Sequence, residues 1–94
     1  MRYVSTRGRA PELGFAEVLL AGLAADGGLY VPETWPTLEK VTPGASYAEV
    51  AADVMWTYVE GSLEESAFRR IVADAYAGFH HPAVCPLVQL DDDE

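Results

Sequence analysis

The sequence predicts a small single α+β domain in which three helices pack with two or three short strands. Three observations lead to this class. The length of 94 residues allows one modest core and no more. Apolar residues recur at helical spacing in three separate segments. Short runs rich in β-branched and aromatic residues lie between loops that contain glycine and proline.

The first strand is predicted over residues 2–6, where an aromatic and a β-branched residue favour extended backbone. A loop is expected over residues 7–14, because this segment contains two glycines and a proline. From Gly14, a passable N-cap, the sequence predicts a helix that ends at the turn Asp26-Gly27-Gly28. Its expected buried face consists of five residues at helical spacing: Phe15, Val18, Leu19, Gly22 and Leu23.

A brief second strand is predicted over residues 29–31, before a long connection that contains several prolines. We expect Trp35 to fix this connection to the core. Ser46, with Glu49 three residues later, predicts the capped start of a second helix that ends at Gly61. The apolar stripe of this helix is formed by six residues: Tyr47, Val50, Ala51, Val54, Tyr58 and Val59.

A third helix and a final strand complete the predicted order of elements. Ser62 and Glu65 repeat the capping pattern, and the helix is expected to end near Gly78. Its predicted buried residues are Phe68, Ile71, Val72, Ala75 and Tyr76. A strand is predicted over residues 83–90, although Pro86 excludes it from the centre of a sheet. Such a strand would leave an exposed edge without a partner in the chain.

Charge and composition exclude several classes of protein. The chain has 15 acidic and 6 basic residues and a net charge of −9, which argues against binding to nucleic acid. Arg2, Arg7 and Arg9 nevertheless lie within the first nine residues without an acid among them, and they favour a small anion over a polyanion. No apolar run is long enough to predict a membrane span or a secretory signal. The single cysteine, Cys85, fits the cytoplasm, which we expect as the location.

Most candidate sites have an ordinary structural interpretation. The turn at residues 26–28 follows a helix, whereas a phosphate-binding loop precedes one. His80, His81 and Cys85 are too few and too poorly spaced for a structural zinc site, which remains the weakest alternative. Cys85 lies in an apolar run and is expected in the core. Lys40, the only lysine, is predicted to be a solvated surface charge and not a Schiff-base lysine.

One polar cluster stands apart, and it consists of Ser5, Thr6 and Arg7, followed by Gly8. Two hydroxyls, a guanidinium and a flexible glycine suit the binding of a carboxylate or a phosphate. The alternative is an ordinary strand end with a solvated arginine. The residues themselves identify no catalytic residue, no cofactor-binding residue and no metal ligands.

The order and spacing of several segments resemble the N-terminal region of threonine synthases. The most specific are the STRG start and the DGGLYVP run, and the resemblance covers nearly the whole chain. The segments that carry it are Tyr3–Gly8, Phe15–Glu17, Gly22–Ala24, Asp26–Pro32, Ser46–Glu49, Ala75-Tyr76, Phe79, His81-Pro82 and Pro86-Leu87.

This resemblance implies a much longer enzyme with a tryptophan synthase β-type fold. Threonine synthases use pyridoxal phosphate to convert O-phospho-L-homoserine and water into L-threonine and phosphate. The family's cofactor lysine lies in a motif similar to HGPT-x-AFKD, which this sequence lacks together with the glycine-rich loop for the cofactor phosphate. Residues 1–94 are therefore expected to be the N-terminal domain, without the cofactor domains. Alone, the domain is expected to bind no pyridoxal phosphate and to be inactive.

Two expectations about partners follow. If the resemblance holds, the domain packs against the remainder of the threonine synthase polypeptide, and Ser5, Thr6 and Arg7 are the candidates to face the active-site cleft. The alternative is a stand-alone interaction module that pairs with another chain through the exposed edge of the final strand. The sequence leaves the oligomeric state open.

Overall fold

The structure is a computed structural model that describes residues 1–38 and 43–91. Its elements in chain order are β1 (Arg2–Ser5), β2 (Leu13–Gly14), α1 (Phe15–Ala21), β3 (Tyr30–Pro32), α2 (Tyr47–Val59) and α3 (Glu65–Ala77). These elements confirm a small α+β domain with three helices and a three-stranded sheet in the described part of the chain. Within the described ranges, every helix falls short of the length and hydropathy that a bilayer crossing requires.

The sheet has the order β2-β1-β3, and both pairs of strands are antiparallel. Tyr3 pairs with Leu13 on one side, and Val4 pairs with Val31 on the other. The sequence predicted only one of the two outer strands of this sheet. The short strand β3 was expected, but β2 was missed because its two residues lie in a segment whose glycines and proline predict a loop.

Helices α2 and α3 form an antiparallel pair around the apolar core. The core residues are Ala52, Val59, Phe68 and Val72. The Ser46 hydroxyl accepts a hydrogen bond from the Glu49 backbone N–H at 3.2 Å, so the predicted start of α2 is confirmed. The predicted start of α3 at Ser62 is wrong, because Glu64 is the N-cap.

Tyr3 connects the sheet to the helix pair. Its side chain is buried, its ring lies 6.2 Å from that of Phe15, and its hydroxyl donates to the Tyr58 carbonyl at 2.6 Å. That carbonyl is in the last turn of α2, where the carbonyl groups have no N–H donor within the helix. The Ser62 N–H, which would continue the pattern, donates to Val59 instead. Burial, together with the nearby Tyr58, raises the pKa of Tyr3.

The predicted extent and buried face of α1 are wrong. The helix ends at Ala21 because Gly22 adopts a φ of 72°, a left-handed conformation that interrupts the helical backbone. Leu19 and Leu23 are each 67% exposed, so the residues after Phe15 do not form the expected buried stripe. Phe15 itself packs against the core.

The segment after α3 also differs from the prediction. Residues 83–90 form turns and irregular backbone, and the expected strand with its free edge is not there. Val84 has a φ of 61°, an unfavourable value for a β-branched residue, and the Cys85 N–H bonds back to the Ala83 carbonyl at 2.6 Å. Cys85 is exposed, so its expected burial in the core is wrong as well.

Two further expectations concern the connection between β3 and α2. Trp35 is 74% exposed and does not fix this connection to the core. Lys40, predicted to be a surface charge, lies outside the described residues.

Candidate functional site: two interlocked loops around Asp26

The polar cluster at the end of β1 meets the turn that follows α1. The Thr6 N–H donates to the Leu29 carbonyl at 2.8 Å, and the Leu29 N–H donates to the Thr6 hydroxyl at 3.0 Å. These reciprocal bonds hold the loop of residues 5–9 against the turn of residues 26–29. We call this arrangement the Asp26 interlock.

The carboxylate of Asp26 is at the centre of the interlock. The Ser5 hydroxyl lies 2.7 and 2.8 Å from its two oxygens, and the backbone N–H groups of Gly28 and Arg9 each donate to one oxygen at 2.9 Å. The hydrogen bond from Ser5 lowers the pKa of Asp26, and the backbone N–H groups add to this effect although partial burial opposes it. Asp26 is therefore a stable anion that its own chain surrounds with donors.

Gly28 lets the two loops approach each other, and Gly27 takes a backbone conformation that favours glycine. A Cβ atom at Gly28 would lie 2.5 Å from the Ser5 hydroxyl oxygen and 2.9 Å from that of Thr6. Gly27 has a φ of 82°, and a Cβ atom there would lie 2.5 Å from Nη1 of Arg7. The turn predicted at residues 26–28 is present, and its glycines make room for the side chains of the facing loop.

Two arginines remain at the surface of the interlock. Nη1 of Arg7 donates to the backbone carbonyl of Asp26 at 3.1 Å. The backbone of Arg9 is held by the Asp26 carboxylate, whereas its guanidinium has no hydrogen bond or ion pair within the described ranges. Arg7, Arg9 and Asp26 line a surface cavity of about 380 Å³. Both surface arginines of the interlock therefore border one cavity.

The structure therefore assigns different roles to the three residues of the predicted cluster. Ser5 is buried and bonded to Asp26, Thr6 is bonded to the turn, and Arg7 lies at the surface with one nitrogen engaged. The cluster does bind a carboxylate, but that carboxylate belongs to the same chain. Whether any of the three faces an active-site cleft stays a prediction.

Sequence reasoning missed Asp26 as a member of this site, and it named Arg9 only as part of the basic N-terminal cluster that favours a small anion. The STRG and DGG motifs were each interpreted alone, and roughly twenty residues separate them in the chain. The available signal was the composition of residues 5–9, which contain many hydrogen-bond donors and no acid. Such a loop needs a nearby acceptor if its buried donors are to form hydrogen bonds.

The other candidate residues do not assemble into a site. His81 Nδ1 accepts from the Ala83 N–H at 3.0 Å, and the Cys85 thiol lies 3.3 Å from the Tyr47 hydroxyl oxygen. No group of three or more metal-ligating side chains occurs among residues 1–38 and 43–91. The weakest alternative, a zinc site at His80, His81 and Cys85, therefore receives no support from the described residues.

The surface of the chain is larger than that of a compact domain, and it includes many large apolar side chains. The Cα radius of gyration is 16.7 Å, against about 12 Å for a compact domain of this length. The accessible surface is 7153 Å², about a third more than a compact monomer of this mass exposes. Among residues 1–38 and 43–91, thirteen large apolar side chains are exposed, including four leucines on and after the second half of α1: Leu19, Leu20, Leu23 and Leu29.

Comparisons with known proteins all lead to one enzyme family. The family described as "Threonine synthase N terminus" matches residues 2–76. A threonine synthase from Pseudomonas aeruginosa is 52% identical over 98 aligned positions, which cover 100% of this chain and 21% of that protein. One from Schizosaccharomyces pombe is 36% identical, with 94% of this chain and 18% of that protein covered.

A solved structure agrees with these sequence relatives. The crystal structure described as PLP-bound threonine synthase from Brucella melitensis is 49% identical to this chain and superimposes with a TM-score of 0.82. The superposition covers 98% of this chain and 21% of that one. The chain thus spans about a fifth of the length of the relatives that it matches.

Proposed function

Since this chain belongs to the threonine synthase family, through the family's N-terminal region, we propose that it is the N-terminal domain of a threonine synthase. The complete enzyme would convert O-phospho-L-homoserine and water into L-threonine and phosphate, in threonine biosynthesis. The observation that carries this proposal is the match of residues 2–76, together with 52% identity along the whole chain to an enzyme of that name.

The residues of this chain do not form a Schiff-base site for pyridoxal phosphate, the cofactor that the Brucella melitensis enzyme binds. A Schiff-base site requires a lysine in a pocket, and the chain has one lysine, Lys40, in a loop sequence outside the described residues. In our proposal the cofactor and the chemistry belong to the polypeptide that corresponds to the other four fifths of the relatives. The 94-residue chain alone is then inactive.

The domain's own contribution is to pack against that larger body. The exposed apolar side chains and the extended shape support this role, because a protein surface of this kind is normally covered by a partner. α1 is the clearest case: it contains no buried residue, and Leu20 on it is 89% exposed. We therefore place α1 in the contact with the cofactor domains.

Of the three residues proposed to face the active-site cleft, Arg7 is the one with free donors. The hydroxyls of Ser5 and Thr6 are hydrogen-bonded inside the interlock. Arg7 uses one guanidinium nitrogen in a hydrogen bond and keeps the others at the surface. Replacement of Arg7 by alanine in the full-length enzyme should therefore change kcat or KM for phosphohomoserine. Unchanged values of both would contradict a cleft role for this side chain.

The assignment to threonine synthase has a direct test. The complete gene product that contains this chain, loaded with pyridoxal phosphate, should release phosphate from O-phospho-L-homoserine and should restore growth of a bacterial strain that lacks threonine synthase. The 94-residue chain, expressed to the same level, should do neither. If the loaded full-length protein releases no phosphate, the proposal is wrong. If the 94-residue chain releases phosphate, the assignment of the chemistry to the rest of the polypeptide is wrong.

The exposed, unpaired Cys85 supports the proposed cytoplasmic location, because the cytoplasm keeps thiols reduced. The alternative, a stand-alone module that pairs through a strand edge, depended on a strand over residues 83–90. Since the described chain is irregular there, no observation favours that alternative.

A further inference from the structure

Within the described residues, the two arginines of the interlock form no ion pair with the carboxylate beside them. Asp26 lines the same cavity as Arg7 and Arg9, yet the ion pairs within residues 1–38 and 43–91 are elsewhere: Arg2–Glu12, Arg69–Asp53 and Arg69–Glu65. The reason is geometric. The oxygens of Asp26 are already occupied by the Ser5 hydroxyl and by two backbone N–H groups, so the carboxylate does not pair with either guanidinium.

The interlock also fixes the positions from which the two side chains start. Arg7 lies over the turn, bonded to the Asp26 carbonyl and within the space that a Cβ atom of Gly27 would fill. The backbone N–H of Arg9 is bonded to the Asp26 carboxylate. Both arginines therefore border one cavity from anchored backbone, and less backbone entropy is lost when they bind a shared ligand.

We propose that Arg7 and Arg9 bind the phosphate group of a small phosphate monoester, or free phosphate, in the cavity of about 380 Å³ that they line with Asp26. A guanidinium presents planar, paired donors that match the oxygens of a phosphate. Asp26 is the positioning residue, because it holds the loop that carries both arginines. With one carboxylate against two guanidinium groups, the site keeps a local positive charge in a chain of net charge −9, which repels polyanions.

The identity of the anion rests on the proposed function, whereas the site itself does not. The substrate and one product of the proposed reaction carry this chemical group, as a phosphate ester and as free phosphate. Because the site is exposed, we expect a dissociation constant on the order of 1 mM at low salt and weaker binding as salt screens the charges.

Binding of inorganic phosphate to the ¹⁵N-labelled chain tests the proposal. At about pH 7.5, above the second pKa of phosphate, and at constant ionic strength, phosphate should produce saturable shifts in the arginine Nε–H signals and in the amides of residues 7–9. Arg9→Gln should weaken binding about 10-fold, because a charge-assisted pair of hydrogen bonds is lost. Its backbone bond to Asp26 is kept, so the loop should keep its fold.

Arg70→Gln is the matched control, since it removes the same charge from an exposed position on α3 that has no partner in the described chain. Phosphate affinity should be unchanged in this variant. Shifts that do not saturate, or equal dissociation constants for Arg9→Gln and Arg70→Gln, would overturn the proposed site. So would acetate that binds as tightly as phosphate, because the site would then not select for the phosphate group.

A parallel titration with O-phospho-L-homoserine distinguishes the two sources of the group. Tighter binding than that of phosphate supports the site and identifies the ester as its ligand, and equal binding supports the site with the phosphate group as the only feature recognised. The result is separable from the enzymatic assignment. If the chain shows no saturable binding, phosphate release by the full-length enzyme still tests the proposed function. If the full-length protein is inactive, the phosphate titration still tests the site.

Discussion

The two halves of this chain are held together by different forces. In residues 1–32, a thin sheet and two loops are joined by backbone hydrogen bonds and by the carboxylate of Asp26. In the helix pair α2–α3, stability comes from a buried apolar cluster that includes Val59 and Phe68. The first half has few buried apolar side chains, whereas the second half supplies most of the core.

A free apolar face is expected in the half that polar contacts hold. α2 and α3 cover each other at four buried residues, Ala52, Val59, Phe68 and Val72. α1 belongs to the half that polar contacts hold, and its leucines have no such partner. The stability of the first half therefore does not require α1 to be covered, which leaves its surface available to the rest of the proposed enzyme.

The largest effect is expected from the apolar core. Phe68→Ala should lower the free energy of unfolding by about 3–5 kcal/mol, from lost burial and a cavity, a large share of the total for a domain of this size. The measurement is urea unfolding followed by circular dichroism. Ile71→Ala, three residues later on α3 but 59% exposed, should change it by less than about 0.5 kcal/mol. Equal costs would break the distinction between a covered and an uncovered face.

A smaller effect is expected from crowding of the interlock. Gly28→Ala places a methyl group 2.5 Å from the Ser5 hydroxyl oxygen, and we expect a loss of about 1–3 kcal/mol from overpacking. Gly78→Ala is the control, because its nearest new neighbour would be a carbonyl oxygen at 4.0 Å. If thermal unfolding shows the same midpoint for both variants, the close approach of the two loops is not what stabilises the first half.

The smallest effect is a dependence on pH that should be confined to the first half. The pKa of folded Asp26 is lowered, so its contribution to stability is present above the unfolded-state value of about 4 and is lost as the pH falls through the folded-state pKa. The difference in Tm between the wild type and Asp26→Asn should therefore be greatest near neutral pH and should shrink in acid. A difference that is constant with pH would contradict the ionic role of Asp26.

The control for this measurement is Asp74→Asn, on the exposed surface of α3 with no hydrogen bond or ion pair within the described ranges. Its Tm should stay close to that of the wild type at each pH. A pH-dependent difference of similar size in this variant would assign the effect to overall charge instead of to the interlock.

The sequence allowed prediction of what is local in this fold. The start of α2 at Ser46 and the end of α3 near Gly78 follow from capping and periodicity within a few residues. Periodicity also predicted that Phe68 and Val72 are buried, and this prediction is correct because α2 covers that face of α3. It failed for Ile71 and for Leu19, since an apolar period shows which residues share a face and not what covers that face.

Features that depend on pairing between distant segments were not predictable in the same way. The run over residues 83–90 has the composition of a strand, but a strand also needs a neighbour, and the described chain offers none. The contact between Ser5 and Asp26 joins two motifs that look like an ordinary strand end and an ordinary turn when each is considered alone. Neither motif contains a signal that specifies its distant partner.

The hydrogen bond from Tyr3 to the Tyr58 carbonyl couples local unfolding of the two halves. The phenol closes the open end of α2 while its own strand is the centre of the sheet, so fraying of that helix end and detachment of β1 should occur together. We expect the amide protons of both regions to exchange with solvent at similar rates. Tyr3→Phe would keep the ring and release the Tyr58 carbonyl, so hydrogen exchange in this variant should give different rates for the two regions.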